Sequence, residues 1–185
     1  MSLITKRALK ESLKKLMTKK SFNKITISDL TDDCQISRMT FYYHFSDIYD
    51  LVEWSIIDGV SLAVDNDKTY STWKQGFIQV FQRFTDHKAF IQNIYTSLNL
   101  EHIQNYLYGL TYDLLHGVVE ELAQGLDISQ EDKEFIIQFY KYAFVGLVLD
   151  WFKTGMEKDP EIIVDKLAVL IEGNFNNGIQ RFLKQ

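Results

Sequence analysis

Apolar residues recur at three- and four-residue spacing along most of the chain. Residues 4–19 place them on one side of a helix, with most of the lysines on the other; the apolar positions are Leu9, Leu13, Leu16 and Met17. The same spacing, broken by short polar stretches, predicts longer helices over 46–64, 71–86, 88–97, 99–124, 129–155 and 160–183. No stretch has the alternating pattern of a strand. The pattern therefore predicts an all-α fold.

Two shorter helices are predicted between residues 25 and 45. In "ITISDLTDDC", Thr26 or Ser28 can cap a short helix whose inner face includes Leu30. The following "QIS" leaves about three residues of turn before a helix that begins after Ser37 as its N-cap. Two helices joined by a turn of this length form a helix-turn-helix.

The faces of the helix after Ser37 differ in chemistry. Phe41 and Phe45 are four residues apart, so both are expected to point into the core. The other positions form outward i, i+4 pairs that offer a guanidinium, hydroxyls, an imidazole and flat aromatic surface; they are Arg38, Met39, Thr40, Tyr42, Tyr43 and His44. Groups of this kind suit phosphates and base edges.

The last two predicted helices, 129–155 and 160–183, have N-cap candidates in Ser129 and Asp159 and are apolar on more than one face. Burial at the centre of the chain's own domain would explain the additional apolar face of one of these helices more easily than that of both. A contact with a second copy of the chain would explain both. The residues predicted for that interface are Phe139, Ala143, Gly146, Leu147, Asp150, Leu167, Leu170, Ile171 and Asn174.

Charge is unevenly distributed along the chain of 185 residues, whose net charge is −5. Residues 1–24 carry eight Lys/Arg and one acidic residue, whereas 52–185 carry 11 Lys/Arg and 19 Asp/Glu. A basic N-terminal face could meet phosphates or an acidic lipid surface, although a solvated helix face has the same composition. A single cysteine, Cys34, the absence of a secretory signal and the shortness of the longest apolar run, "YAFVGLVL", predict a cytoplasmic protein with no membrane span.

The string "ITISDLTDDCQISRMTFYYHFSDIYDLV", and within it "TFYYHF", resembles the helix-turn-helix of the TetR family of regulators. The segment "FVGLVLDWFKTGMEKDPEIIVDKLAVLI" is similar to the C-terminal region of a TetR subgroup that includes dihydroxyacetone-kinase regulators. The resemblance implies an all-α homodimer, with an N-terminal three-helix DNA-binding head (1–48) and a larger helical ligand-binding and dimerisation body (49–185).

The resemblance also implies roles for residues of the head. Thr26 and Ser28 would begin the second helix near phosphates, and Tyr42 and His44 would hold phosphates. The base-reading set would be Arg38, Met39, Thr40 and Tyr43. Three positions depart from the family pattern: Gln35 stands where a turn glycine is usual, Ile48 where a phosphate-binding lysine is usual, and Ser21 where a glycine is usual after the first helix.

Aromatic residues of the body are candidates for a small apolar or aromatic effector; they are Phe81, Phe84, Tyr95, Tyr106, Tyr112, His116, Tyr140 and Phe144. Aromatics at helical spacing more often belong to a core. His116 and Glu120 alone are too few for a metal site, and no cofactor is predicted.

The chain lacks a glycine-rich phosphate loop and a complete nucleophile elbow, so an enzyme is not predicted. We predict a ligand-responsive, homodimeric transcriptional regulator that binds a palindromic operator, with repression as the family's common mode. The alternative is a co-regulator that acts by protein-protein contact, for example with a dihydroxyacetone-kinase-type subunit or another regulator. It would show a large exposed apolar or acidic patch outside the dimer interface.

Overall fold

The computed structural model describes residues 2–64, 69–97 and 100–183, and within these ranges the fold is all-α, as predicted. The helices are α1 (Ser2–Met17), a 3-10 helix (Phe22–Lys24), α2 (Ile27–Asp33), α3 (Arg38–His44), α4 (Ile48–Val64), α5 (Trp73–Asp86), α6 (Lys88–Ser97), α7 (Leu100–Leu122), α8 (Gln130–Lys153), α9 (Pro160–Ile171) and α10 (Asn174–Phe182).

Local sequence signals fix where several helices begin. Thr26 and Asp29 form a reciprocal capping box at the start of α2, and the Ser37 hydroxyl accepts a hydrogen bond from the Thr40 backbone N–H at the start of α3. Ser129 caps α8, and Asp159 caps α9. These side chains satisfy N–H groups that have no partner within their helix.

The head comprises α1–α3 and packs against the first half of α4. Its centre holds fully buried side chains from all four helices; they are Leu9, Leu13, Leu30, Phe41, Phe45 and Leu51. Because α4 supplies core residues beyond position 48, the head is not closed by α1–α3 alone. We keep 48/49 as a proposed boundary between head and body.

The body is organised around the α7–α8 pair, with α5 and α6 packed beside it and α9 and α10 following. Aromatic side chains connect these layers: Phe81 of α5 meets Trp151 of α8 with ring centroids 4.9 Å apart. Phe84 and Phe152 form a similar edge contact at 5.1 Å. Burial of such large rings supplies much of the hydrophobic stabilisation of a helical core.

The predicted helix over 160–183 is wrong as a single helix. Gly173 has a φ of +76° and separates α9 from α10. Glycine adopts this left-handed conformation at little cost, so the chain turns there instead of continuing. The short 3-10 helix was not predicted either; it places Phe22 in the core.

By length and composition α8 qualifies as a candidate membrane span, which the sequence reading did not predict. The helix that forms the centre of a soluble bundle meets the same criteria. One side of α8 is buried against the rest of the body through Phe144, Val148 and Trp151.

Candidate nucleic-acid interface

The turn between α2 and α3 closes through the backbone. The Ile36 N–H donates to the Thr31 carbonyl at 3.0 Å, and the Gln35 N–H donates to the Asp32 carbonyl at 3.2 Å. This pair of bonds is a Schellman motif, which requires a left-handed residue after the helix. Gln35 occupies that position with a φ of +54°. The turn therefore keeps its geometry without the usual glycine, at a conformational cost.

The outer face of α3 carries large side chains that the chain itself does not cover. Met39 and Tyr43 are each 82% exposed, and Tyr42 is 49% exposed. Arg38 is exposed beside them, whereas Phe41 on the opposite face is fully buried. An exposed aromatic and apolar surface next to a guanidinium on a short helix is typical of a contact surface.

Some of the predicted phosphate and base contacts already have partners within the chain. The Thr26 hydroxyl donates to Asp29 Oδ2 at 2.7 Å, and the Thr40 hydroxyl lies 2.9 Å from that of Ser37. Ser28 is exposed near the start of α2. His44 is half-buried, with its ring against the edge of Tyr43 at a centroid distance of 5.0 Å. DNA contacts by these threonine hydroxyls would compete with capping bonds.

The positive charge of residues 1–24 is partly neutralised by the fold. Within the described residues, four of its lysines form ion pairs: Lys10 with Asp58, Lys14 with Glu11, Lys15 with Asp33, and Lys20 with Asp29. Hydrogen bonds from Lys20 and Thr26 lower the pKa of Asp29 to about 2. The N-terminal lysines therefore contribute less free charge toward phosphate than their number indicates.

A second uncovered surface lies on α8 and α9. Phe139 is 63% exposed and Leu170 is 68% exposed, and the other predicted interface residues of α8 are exposed beside Phe139; they are Ala143, Gly146, Leu147 and Asp150. Leu167 and Ile171, in contrast, are buried within the chain, so they support this surface from beneath.

A groove of about 480 Å³ runs between α8, α9 and α10 along this surface. Six residues of the predicted interface, from all three helices, line it: Phe139, Ala143, Leu167, Leu170, Ile171 and Asn174. The sequence reading missed the contribution of α10, which adds Asn177, Arg181 and Phe182. Gly173, after the apolar run of α9, was the signal that could have revealed this separate helix.

The eight aromatic effector candidates lie in separate places. Phe84, Tyr95 and Tyr106 line one small internal void; Tyr140 and Phe144 line the groove. Phe81 is fully buried in the core. Tyr112 and His116 lie together on α7 with ring centroids 5.8 Å apart, and the Tyr112 hydroxyl donates to Glu134. Glu120, the partner considered for His116, forms an ion pair with Lys133.

Comparisons with known proteins agree with this architecture. A TetR family model described as "Transcriptional regulator C-terminal region" matches residues 71–173. The HTH-type dhaKLM operon transcriptional activator DhaS of Lactococcus lactis subsp. lactis (strain IL1403) is 23% identical over 179 residues, which cover 92% of each chain. The solved structure of the dihydroxyacetone kinase operon activator DhaS has the same fold, with a TM-score of 0.70 at 20% identity over 98% of this chain and 99% of that chain. These matches are to transcriptional regulators and not to enzymes, and the chain belongs to the TetR family of transcriptional regulators.

Proposed function

We propose that this regulator binds a two-fold symmetric operator as a homodimer and reads its sequence with the outer face of α3. The observation that carries the proposal is the 82% exposure of Met39 and Tyr43 beside the exposed Arg38, on a helix fixed by a tight turn. Arg38 would contact base edges together with Met39, Thr40 and Tyr43. Tyr42, His44 and the start of α2 at Thr26 and Ser28 would hold phosphates.

The homodimer is supported by the exposed apolar surface of α8 and α9. Phe139, Leu147, Val169 and Leu170 are all more than two-fifths exposed, and a chain on its own would leave them in water. Packing two copies across this surface would place four helices together and leave both heads free to enter successive major grooves. A dimer of this kind would recognise an operator with two-fold symmetry.

We propose that the protein activates transcription, in place of the repression expected from the sequence. The supporting observation is the printed name of the Lactococcus relative, a transcriptional activator, which aligns with 92% of this chain. We also propose that a small effector binding in the body changes operator affinity, by favouring one spacing of the two heads. The protein would work in the cytoplasm, where DNA is accessible.

Selection of bound sequences from random duplex DNA tests the operator proposal. Purified protein is expected to enrich a palindromic motif with half-sites about 34–36 Å apart, or a multiple of that distance. The affinity for the enriched duplex should fall steeply with salt, because each neutralised phosphate releases counterions. Operator affinity then provides the readout for an effector screen.

A protein that enriches no motif, although sedimentation shows it to be a dimer, would overturn operator reading by this chain alone. The co-regulator alternative would then be tested by capture of a partner protein. Most of the large exposed apolar side chains of the described ranges lie on α3, α8 and α9, the surfaces proposed to meet DNA and the second copy, which favours the DNA-binding dimer.

A further inference from the structure

Asn93 on α6 joins the body to the head through two hydrogen bonds. Its side-chain Nδ2 group donates to the Met17 carbonyl at 3.1 Å, and its Oδ1 atom accepts from the Phe22 N–H at 3.2 Å. Met17 is the last residue of α1, and Phe22 is the first residue of the 3-10 helix. A single amide of the body therefore bonds the end of one head helix and the beginning of the next.

Both of these backbone groups lie at helix ends, where the helix itself supplies no partner. Side chains close in sequence usually provide one, as Thr26 does at the start of α2. Ser21 is the N-cap of the 3-10 helix, but within the described residues its side chain makes no capping bond. Asn93, which is 71 residues from Phe22, caps the 3-10 helix instead. The link between α1 and α2 thus depends on a residue of the body.

The residue before Asn93 attaches α6 to α8. The side chain of Gln92 donates to the Phe152 carbonyl, near the end of α8, at 2.8 Å. Gln92 and Asn93 therefore bond to different parts of the molecule, the first to α8 and the second to the head. Because α8 carries much of the proposed dimer surface, α6 forms a polar connection between that surface and the head.

This connection is separate from the chain segment that links head and body. That segment is α4, and a head held by one helix alone would be free to tilt about it. The half-buried Asn93 provides a second attachment that opposes the tilt. The 3-10 helix carries the restraint into the head, since Phe22 is buried and its ring contacts that of Tyr49, just after α3, at a centroid distance of 5.7 Å.

We propose that Asn93 is a positioning residue, which holds each head at one angle to the body and so restricts the half-site spacing that the dimer accepts. This inference rests on the proposed function and adds the residue that selects operators by spacing. A spacing that requires the head to tilt would break both Asn93 bonds in wild type. The Asn93→Ala variant has no such bonds to lose, so it discriminates less against that spacing.

Duplexes that differ only in spacing test the inference. The half-site enriched by wild type is placed in inverted pairs whose separation varies over about one helical turn, roughly 10 base pairs. Wild type is expected to prefer one separation. In Asn93→Ala the affinity ratio between that separation and its neighbours should fall about tenfold, the effect of two hydrogen bonds of ordinary net strength. The base preference within a half-site should stay the same, because α3 is unaltered.

Ile94→Val is the control matched for stability. Ile94 is buried on α6 next to Asn93, so loss of one methyl group should lower the thermal midpoint without removing either bond. This variant should keep the spacing preference of wild type. If Asn93 had only a structural role, Asn93→Ala would behave in the same way. An unchanged preference in Asn93→Ala, or an equal loss of preference in Ile94→Val, would overturn the inference.

Residual dipolar couplings of the free protein separate this inference from the proposed function, because they require no operator. Head and body should fit one alignment tensor in wild type and in Ile94→Val, whereas the head of Asn93→Ala should show reduced couplings. A head that moves independently in wild type, or stays aligned in Asn93→Ala, would overturn the positioning role even if an operator is enriched. The expected couplings without an enriched operator would support that role and contradict the proposed function.

Discussion

The Nζ atom of Lys10 lies 2.8 Å from Oδ2 of Asp58, and this ion pair joins α1 of the head to the second half of α4. Lys10 is 8% exposed, and its ammonium group also lies 5.9 Å from the centre of the Trp54 ring. Because α4 runs from the head into the body, the pair fixes how the first helix of the head sits on that connecting helix.

Asp58→Asn should lower the free energy of unfolding by about 1–3 kcal/mol, because it leaves the Lys10 ammonium buried without a counter-charge. Urea denaturation measures the change. The control is Glu11→Gln, at the Lys14–Glu11 pair, where the glutamate side chain is 68% exposed. That variant should stay within about 0.5 kcal/mol of wild type. Equal losses in both variants would contradict a structural role for the Lys10–Asp58 pair.

Gln35→Gly should stabilise the protein by about 0.5–1 kcal/mol. Glycine adopts the left-handed conformation at a φ of +54° without the strain that a Cβ atom causes. Part of this gain is offset because glycine loses more conformational entropy on folding. Gln35→Ala keeps a Cβ atom and should give no such gain. Thermal denaturation of the three proteins checks this, and a destabilised glycine variant would show that the Gln35 side chain contributes more than the turn costs.

The Asp29 carboxylate should make stability depend on pH in the acid range. Its pKa is lowered to about 2 by hydrogen bonds from Lys20 and Thr26, compared with about 3.9 in an unfolded chain. A lowered folded-state pKa means that the contribution is complete above about pH 4 and is lost as the pH falls toward 2. Thermal midpoints recorded over this range should fall less for Asp29→Asn than for wild type. Parallel curves would show that Asp29 is not among the groups responsible.

Phe139→Asp should dissociate the proposed dimer, since it places a charge in the exposed apolar surface of α8. Sedimentation equilibrium is expected to give twice the chain mass of 21.7 kDa for wild type and the single-chain mass for the variant. Leu126→Asp changes an apolar residue that is 36% exposed and lies outside the groove, so it should remain dimeric. A monomeric wild type, or a dimeric Phe139→Asp, would place the interface elsewhere.

The sequence predicted the head most completely because its signals are local. Thr26 and Ser37 are caps that act within three residues, and the spacing of Phe41 and Phe45 places both in the core. The outward position of Tyr43 follows from the same helical period. Local bonding and periodicity therefore suffice to describe the exposed face of α3.

Features that depend on packing between distant helices were not predictable in the same way. Tyr106 and Tyr95 appeared alike as aromatic candidates, and only the arrangement of several helices shows that the Tyr106 hydroxyl is buried without a hydrogen-bond partner among the described residues. Two of the ion pairs that neutralise N-terminal lysines are likewise non-local, Lys10 with Asp58 and Lys15 with Asp33. Gly173 was visible in the sequence, but an apolar pattern that continues on both sides of it concealed the break.

The most direct test of sequence reading by α3 is a parallel selection from random duplex DNA with wild type, Arg38→Ala and Tyr42→Phe. Arg38→Ala should change the enriched motif at one position in each half-site, because it removes a contact to base edges. Tyr42→Phe should enrich the wild-type motif with lower affinity for every sequence, because it removes a phosphate contact. If Arg38→Ala enriched the same motif as wild type, the proposal that Arg38 on α3 reads the operator would be wrong.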